Sequence, residues 1–169
     1  MKPLPQEDER YLIAAEGWLG LGDHLSANEE LEQIAVEWRA HPQVLIVRLN
    51  IYRMAKKWEA CLEIANAIIK ATPDILYGWI GRSFALHELK CTQEAYDLLL
   101  PAKDKFPKEH TVPYNLACYC AQLNRLEEAE KWFKQAMAIN ERAVQLAAVD
   151  DPDLDPLWAG LGGRTWKKA

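Results

Sequence analysis

The sequence repeats with a period of 34 residues, and this constrains its fold more than any other feature. A small residue recurs at that spacing, as Ala27, Cys61, Ala95 and Ala129. Four positions beyond each of them stands an apolar residue, as Leu31, Ala65, Leu99 and Phe133. Chance rarely keeps one phase through four copies without an insertion. The spacing therefore predicts four similar structural units in succession.

Each unit is predicted to be a helical hairpin. Its apolar residues recur at i, i+4 and i+7, which is helical spacing. A short polar break interrupts each unit, at Gly22-Asp23, Lys56-Lys57, Lys90-Cys91 and Asn124-Arg125. The predicted first helices are 9–21, 43–55, 75–89 and 112–123, and the second helices are 25–39, 58–71, 92–106 and 126–138. Because proline cannot donate to the preceding turn, Pro101 predicts a kink inside the second helix of the third unit.

The recurring small residue has a physical reason. Where the two antiparallel helices of a hairpin cross, a large side chain would hold them apart, whereas alanine or the compact thiol of Cys61 allows close approach. A single hairpin cannot bury its own apolar face, so each unit is expected to be stabilised by stacking on its neighbours. The predicted class is all α.

The repeat resembles the tetratricopeptide repeat. The period itself, the aromatic residue at Trp79, the small residues Ala95 and Ala129, the bulky residues Leu99 and Phe133, and the closing prolines Pro73 and Pro107 carry the resemblance. It covers residues 8–140, although Ala14-Ala15, Arg48-Leu49 and Arg82-Ser83 replace the usual Leu-Gly pair. It implies a right-handed α-solenoid, a protein-binding function and a concave groove lined by the first helices.

A terminal segment outside the repeats is predicted at each end of the chain. Residues 1–8 are expected to be flexible, and the four repeats to span 9–42, 43–74, 75–108 and 109–140. Residues 141–160 are expected to form a cap, with a helix from Arg142 to Ala148 and a clip in which Leu154, Leu157 and Trp158 fold back onto it. Packing of Trp158 is favoured over contact with a partner. Residues 161–169 are expected to be a tail.

Composition narrows the class of protein. The chain of 169 residues has a net charge of −5 and a pI near 5.4, which argues against nucleic acid as a partner. It contains no run of 18 apolar residues, and no apolar run follows Lys2, so neither a membrane span nor a secretory signal is predicted. The four cysteines are then expected to stay reduced in the cytoplasm.

The groove positions implied by the resemblance are mainly apolar. They are Leu12, Ile13, Ile46, Val47, Asn50, Arg53, Tyr77, Ile80, Phe84, His87, Tyr114, Asn115 and Cys118. Contiguous apolar surface on a soluble protein usually marks a binding site, although neighbouring units could cover part of this set. We therefore expect the groove to bind an apolar or amphipathic segment of a protein partner. Asn50 and Asn115 would bond to the ligand backbone, and Arg53 would attract an acidic residue.

Neither catalysis nor a cofactor is predicted. Cys118 and Cys120 lie about 200° apart around one helix, so they cannot share a metal ion. A Cys118–His87 nucleophile pair lacks an orienting third group and an evident oxyanion hole. The charges needed to grip a C-terminal carboxylate, as some tetratricopeptide domains do, are missing at Leu12 and Ile46. No glycine-rich phosphate loop precedes a helix.

Two alternatives to a general interaction scaffold remain open. One is a secretion-type chaperone, a small acidic protein that shields an apolar segment of its client. The other is a self-assembling structural module, in which a second copy or the chain's own terminal segment fills the groove.

Overall fold

A computed structural model of the chain describes residues 2–163, and all regular secondary structure within that range is helical. The α-helices are α1 (Gln6–Gly20), α2 (His24–Gln33), α3 (Pro42–Met54), α4 (Trp58–Ala71), α5 (Leu76–Glu88), α6 (Thr92–Leu99), α7 (Ala102–Lys105), α8 (Thr111–Gln122), α9 (Leu126–Ala148) and α10 (Asp155–Gly160). Two short 3-10 helices lie at Val36–Trp38 and Pro152–Leu154. The predicted all-α class is confirmed.

The helices form two compact units, with the boundary between Ala85 and Leu86 inside α5. In the first unit, α1 pairs with α2 and α3 pairs with α4. Its core has two parts, one around the fully buried Leu31 and Val44 and the other around Leu49 and Ile68. In the second unit, α8 pairs with α9 and also contacts α6 and α7. The short α10 packs against α8 and α9.

The turn of every hairpin contains one residue with a left-handed backbone. The φ angles are 82° at Gly22, 54° at Lys56, 66° at Lys90 and 57° at Asn124, and these positions are 34 residues apart. The next residue's N–H bonds to the carbonyl five positions back, from Asp23 to Trp18, Lys57 to Tyr52, Cys91 to Leu86 and Arg125 to Cys120. This bonding closes each first helix with a Schellman motif. The four hairpins therefore share one register without insertion.

The small residues lie where the repeat predicts them. Ala27, Cys61, Ala95 and Ala129 are all fully buried, each on the second helix of its hairpin. Gly81 makes a further close approach, since a Cβ atom built on it would lie 2.5 Å from Cδ2 of Leu49. Small or absent side chains at these positions therefore allow the packed helices to approach each other closely.

The N-terminal boundary differs from the prediction. Helix α1 begins at Gln6, so residues 6–8 are helical and do not belong to a loose end. Asp8 is buried, and its carboxylate accepts a hydrogen bond of 2.8 Å from the N–H of Ala35. That bond ties α1 to the chain just after α2, which ends at Gln33 because Ile34 is extended. The predicted helix 25–39 is consequently an α-helix followed by a 3-10 turn.

The two other irregularities also have local causes. Helix α6 ends at Leu99 and α7 begins at Ala102, so the second helix of the third unit breaks at Pro101, as predicted from its missing N–H. Helix α9 runs on into the predicted cap, but Asn140 has non-helical angles (φ −153°, ψ 85°). Its side-chain oxygen accepts a hydrogen bond of 3.1 Å from the N–H of Ala143 and so caps the helical segment that follows.

The chain then returns onto the second unit. Leu154, Leu157 and Trp158 are all buried, and the ring of Trp158 meets that of Phe133 edge to face at a centroid distance of 5.0 Å. We call residues 150–158 the clip. Of the predicted tail 161–169, residues 161–163 form a turn after α10, and residues 164–169 lie outside the described residues.

Candidate functional site

The predicted groove residues of the first unit differ widely in exposure. Leu12 and Val47 belong to the core, so they cannot contact a partner directly. Ile13 and Arg53 are exposed. The other predicted members are half-buried, namely Ile46, Asn50, Tyr77, Ile80 and Phe84.

Part of this set lines an open pocket, which we call the Phe84 pocket. Its lining consists of Leu19, Gly20, Asn50, Arg53, Met54, Trp58 and Phe84, and its volume is about 470 Å³. Pockets that hold small molecules typically measure roughly 300–1,000 Å³. The Phe84 pocket is therefore large enough for one or two side chains of a partner.

Two aromatic rings and a guanidinium form one wall of the Phe84 pocket. The rings of Trp58 and Phe84 meet edge to face, with centroids 5.7 Å apart and an interplanar angle of 68°. The guanidinium carbon of Arg53 lies 5.5 Å from the centroid of the Phe84 ring, within the range of a cation–π interaction. Tyr77 donates its hydroxyl proton to the side-chain oxygen of Asn50, which fixes the Asn50 amide at the pocket edge.

The predicted groove set lacks four residues of the pocket lining, namely Leu19, Gly20, Met54 and Trp58. Trp58 was missed because the prediction used the first helices alone, whereas Trp58 is the first residue of α4 and reaches the pocket from the second helix of its hairpin. Met54 is the last residue of α3 and is 41% exposed. A large aromatic residue directly after a hairpin turn was the available signal, because that position adjoins the end of the first helix.

The predicted groove residues of the second unit are covered by the clip. Tyr114 donates a hydrogen bond of 2.5 Å to a carboxylate oxygen of Asp151, and Sγ of Cys118 lies 3.7 Å from the same oxygen. Nε2 of His87 lies 3.2 Å from a carboxylate oxygen of Asp153. Tyr114, Cys118 and His87 are consequently buried, so the expectation that they line an open groove is corrected. Asn115 remains half-buried.

The clip is held by more than these polar contacts. Gln122 donates a hydrogen bond of 2.9 Å to the carbonyl of Asp153, and Leu154 beside it is fully buried. Burying a large apolar side chain contributes about 1.5–3 kcal/mol. With Leu157 and Trp158 also buried, displacing the clip would cost several such contributions. We therefore interpret the clip as a permanent part of the second unit.

Three of the four thiols lie in environments that disfavour the thiolate. Burial raises the pKa of the Cys61 thiol to about 11 and that of Cys120 to about 12. Burial, together with the carboxylate of Asp151, raises the pKa of Cys118 well above its usual range. A protonated thiol beside a carboxylate is a poor nucleophile, so the geometry gives no support to a Cys118–His87 catalytic pair. Cys91, in contrast, is exposed.

We expect one thiol to react with Ellman's reagent in the native protein at pH 8 and three more to react only after denaturation. At that pH a thiol with a pKa of about 11 is ionised in roughly one molecule per thousand. The substitution Cys91→Ser should remove the fast phase while leaving the denatured total at three. A second fast thiol in the native protein would contradict the buried positions of Cys61, Cys118 and Cys120.

Within residues 2–163, no helix has the length and apolarity needed to cross a membrane, and no three His, Cys, Asp or Glu side chains group as a metal site would require.

Solved structures identify the fold. The chain is similar to TTC0263, a thermophilic tetratricopeptide repeat protein of Thermus thermophilus, with a TM-score of 0.71 and 19% identity over 92% of this chain and 88% of that one. It is also similar to MamA from Desulfovibrio magneticus RS-1, with a TM-score of 0.70 and 14% identity over 82% and 78% of the two chains. A tetratricopeptide repeat protein from Parabacteroides merdae gives a TM-score of 0.66 and 21% identity over 81% of this chain and 55% of that one.

The chain therefore has the fold of the tetratricopeptide repeat proteins, as the 34-residue period predicted. No protein-family model matches the sequence, and no curated protein matches it significantly.

Proposed function

We propose that this protein is a non-catalytic interaction scaffold and that the Phe84 pocket binds an apolar side chain of a partner protein segment. The observation that carries the proposal is the open pocket itself, in which Trp58, Phe84 and Arg53 converge. Tryptophan and arginine are among the residues that most often dominate binding energy at protein interfaces. The similar fold of proteins built from tetratricopeptide repeats supports the general role of a scaffold.

The chemistry of the pocket favours an amphipathic segment. Leu19, Met54 and the two rings offer apolar contact, and the thioether of Met54 can adapt to different side chains. Asn50 and Arg53 at the same pocket supply polar groups that can fix the direction of a bound segment. This combination of an apolar centre and a polar rim is typical of helix-in-groove and peptide-in-groove recognition.

A photo-crosslinker at the pocket tests the proposal. With Met54 replaced by benzoylphenylalanine, irradiation in an extract of the source cells should yield a crosslink to a partner, and Phe84→Ala should weaken it. The matched control is the same replacement at Ile139 in the second unit, which is 40% exposed against 41% for Met54. Equal crosslinking from both positions would contradict the proposal. A crosslink only to a second copy of the chain would instead support the self-assembling alternative.

A further inference from the structure

The residues of the second unit that contact the clip have counterparts one repeat earlier, and two of these counterparts line the Phe84 pocket of the first unit. His87, Tyr114 and Cys118 are the residues that contact the carboxylates of Asp151 and Asp153 in the clip. Moving each position back by one period of 34 residues gives Arg53, Ile80 and Phe84. Because the left-handed turn residues keep this period through all four hairpins, the positions are structurally equivalent within their own hairpins.

The contacts of the clip with His87 indicate which kind of side chain can bind at this position of the repeat. His87, in the last turn of α5, pairs with Asp153, and the next residue of the clip, Leu154, is buried. A basic side chain at the end of a first helix thus receives an acidic residue that precedes an apolar one. Arg53 occupies the same place in the last turn of α3.

The first unit has the basic group but lacks an acidic partner for it. Arg53 is exposed, and within residues 2–163 no carboxylate forms an ion pair with it. It is also the one charged residue in the lining of the Phe84 pocket. The pocket is therefore electrostatically suited to a negatively charged group.

Two other residue differences between the repeats indicate which further groups a ligand of the Phe84 pocket would carry. Tyr114 and Cys118, which contact Asp151 of the clip, are replaced by Ile80 and Phe84. The first unit thus lacks the groups that hold a second carboxylate. In exchange it has an open apolar space beside the Phe84 ring.

We propose, building on the function proposed above, that the Phe84 pocket selects an internal segment of a partner protein in which one acidic side chain pairs with Arg53 and an adjacent apolar side chain packs against Phe84. The guanidinium would form charge-assisted hydrogen bonds with the side-chain carboxylate. A free C-terminal carboxylate is not required, because the equivalent residue in the second unit receives an aspartate side chain.

The probe is a fluorescent peptide with both ends blocked and the sequence of residues 149–159, VDDPDLDPLWA. We expect it to bind the full-length protein, and we expect Arg53→Gln to weaken binding about tenfold, the scale of one charge-assisted contact. Replacing the peptide's third aspartate by asparagine should weaken binding equally, with little further loss when both changes are combined. Arg53→Asp should recover affinity for a peptide that carries lysine at that position.

The control variant is Arg125→Gln. Arg125 stacks on Tyr96 at 5.6 Å much as Arg53 stacks on Phe84 at 5.5 Å, but it lies in the second unit, so its removal should leave peptide affinity unchanged. Equal binding of the acidic and asparagine peptides, or no binding at millimolar concentration, would overturn the selection of an acidic residue. The crosslink from position 54 would still test the proposed function in either case, so the two failures are distinguishable.

Discussion

Replacing Trp158 by alanine is expected to lower the free energy of unfolding by about 3–5 kcal/mol, the usual cost of removing a large buried aromatic side chain. Only 6% of Trp158 is exposed, and its ring packs edge to face against Phe133 with an interplanar angle of 84°. The substitution would leave a cavity where α10 meets α8 and α9. It would also loosen the clip, which covers Tyr114 and His87 through Asp151 and Asp153.

Urea unfolding followed by far-ultraviolet circular dichroism would measure this loss. The control is Val149→Ala, a residue 37% exposed just before the clip, for which we expect a change of about 0.5–1 kcal/mol or less. A Trp158→Ala protein as stable as the control would show that the clip is not part of the second unit's core, and the interpretation of it as permanent would be wrong.

Leu49→Ala is expected to cost about 2–5 kcal/mol, and Gly81→Ala is expected to recover part of that loss. Leu49 is fully buried, and a Cβ atom on Gly81 would lie 2.5 Å from its Cδ2. In the wild-type background the extra methyl therefore forces a rearrangement that costs about 1–3 kcal/mol. Once Leu49 is shortened, the methyl enters vacated space, and alanine is favoured over glycine inside a helix by about 1 kcal/mol.

A double-mutant cycle would measure the coupling between the two positions, which we expect to be about 1–3 kcal/mol in favour of the double variant. The matched control is Gly17→Ala in α1, where the added methyl would meet no atom within 4 Å apart from its chain neighbours and the backbone of its own helix. This control should have the same effect on stability whether residue 49 is leucine or alanine. Strictly additive effects of Leu49→Ala and Gly81→Ala would show that the two side chains do not compete for one space.

The repeat architecture could be predicted from sequence because it depends on short-range and periodic information. The small residues Ala95 and Ala129 and the polar turns at Lys90 and Asn124 recur in one register, and each lies where that register predicts. The break at Pro101 was equally predictable, because the missing N–H of proline removes a hydrogen bond within the same helical turn. These features needed no knowledge of distant contacts.

The candidate site was predicted less completely because exposure depends on distant segments of the chain. The period places Tyr114 and Cys118 on the same face as Phe84, but it does not reveal that Asp151 returns to cover them. Trp58 was not predicted as a site residue because it reaches the pocket from a second helix. Asp8 was assigned to a loose end because its partner, the N–H of Ala35, lies 27 residues away.

Two of the hairpin turns have a lysine at the left-handed position, so we expect their stability to depend on ionic strength. A left-handed backbone costs a non-glycine residue about 1–2 kcal/mol, and Lys56 and Lys90 adopt one two residues after the last residues of α3 and α5. Positive charge near the carboxyl end of a helix offsets about 0.3–1 kcal/mol of such a cost. Salt screens that attraction but leaves the backbone strain unchanged. We therefore expect these two turns to become less stable at high salt, whereas the turns at Gly22 and Asn124 carry no such charge at the left-handed residue.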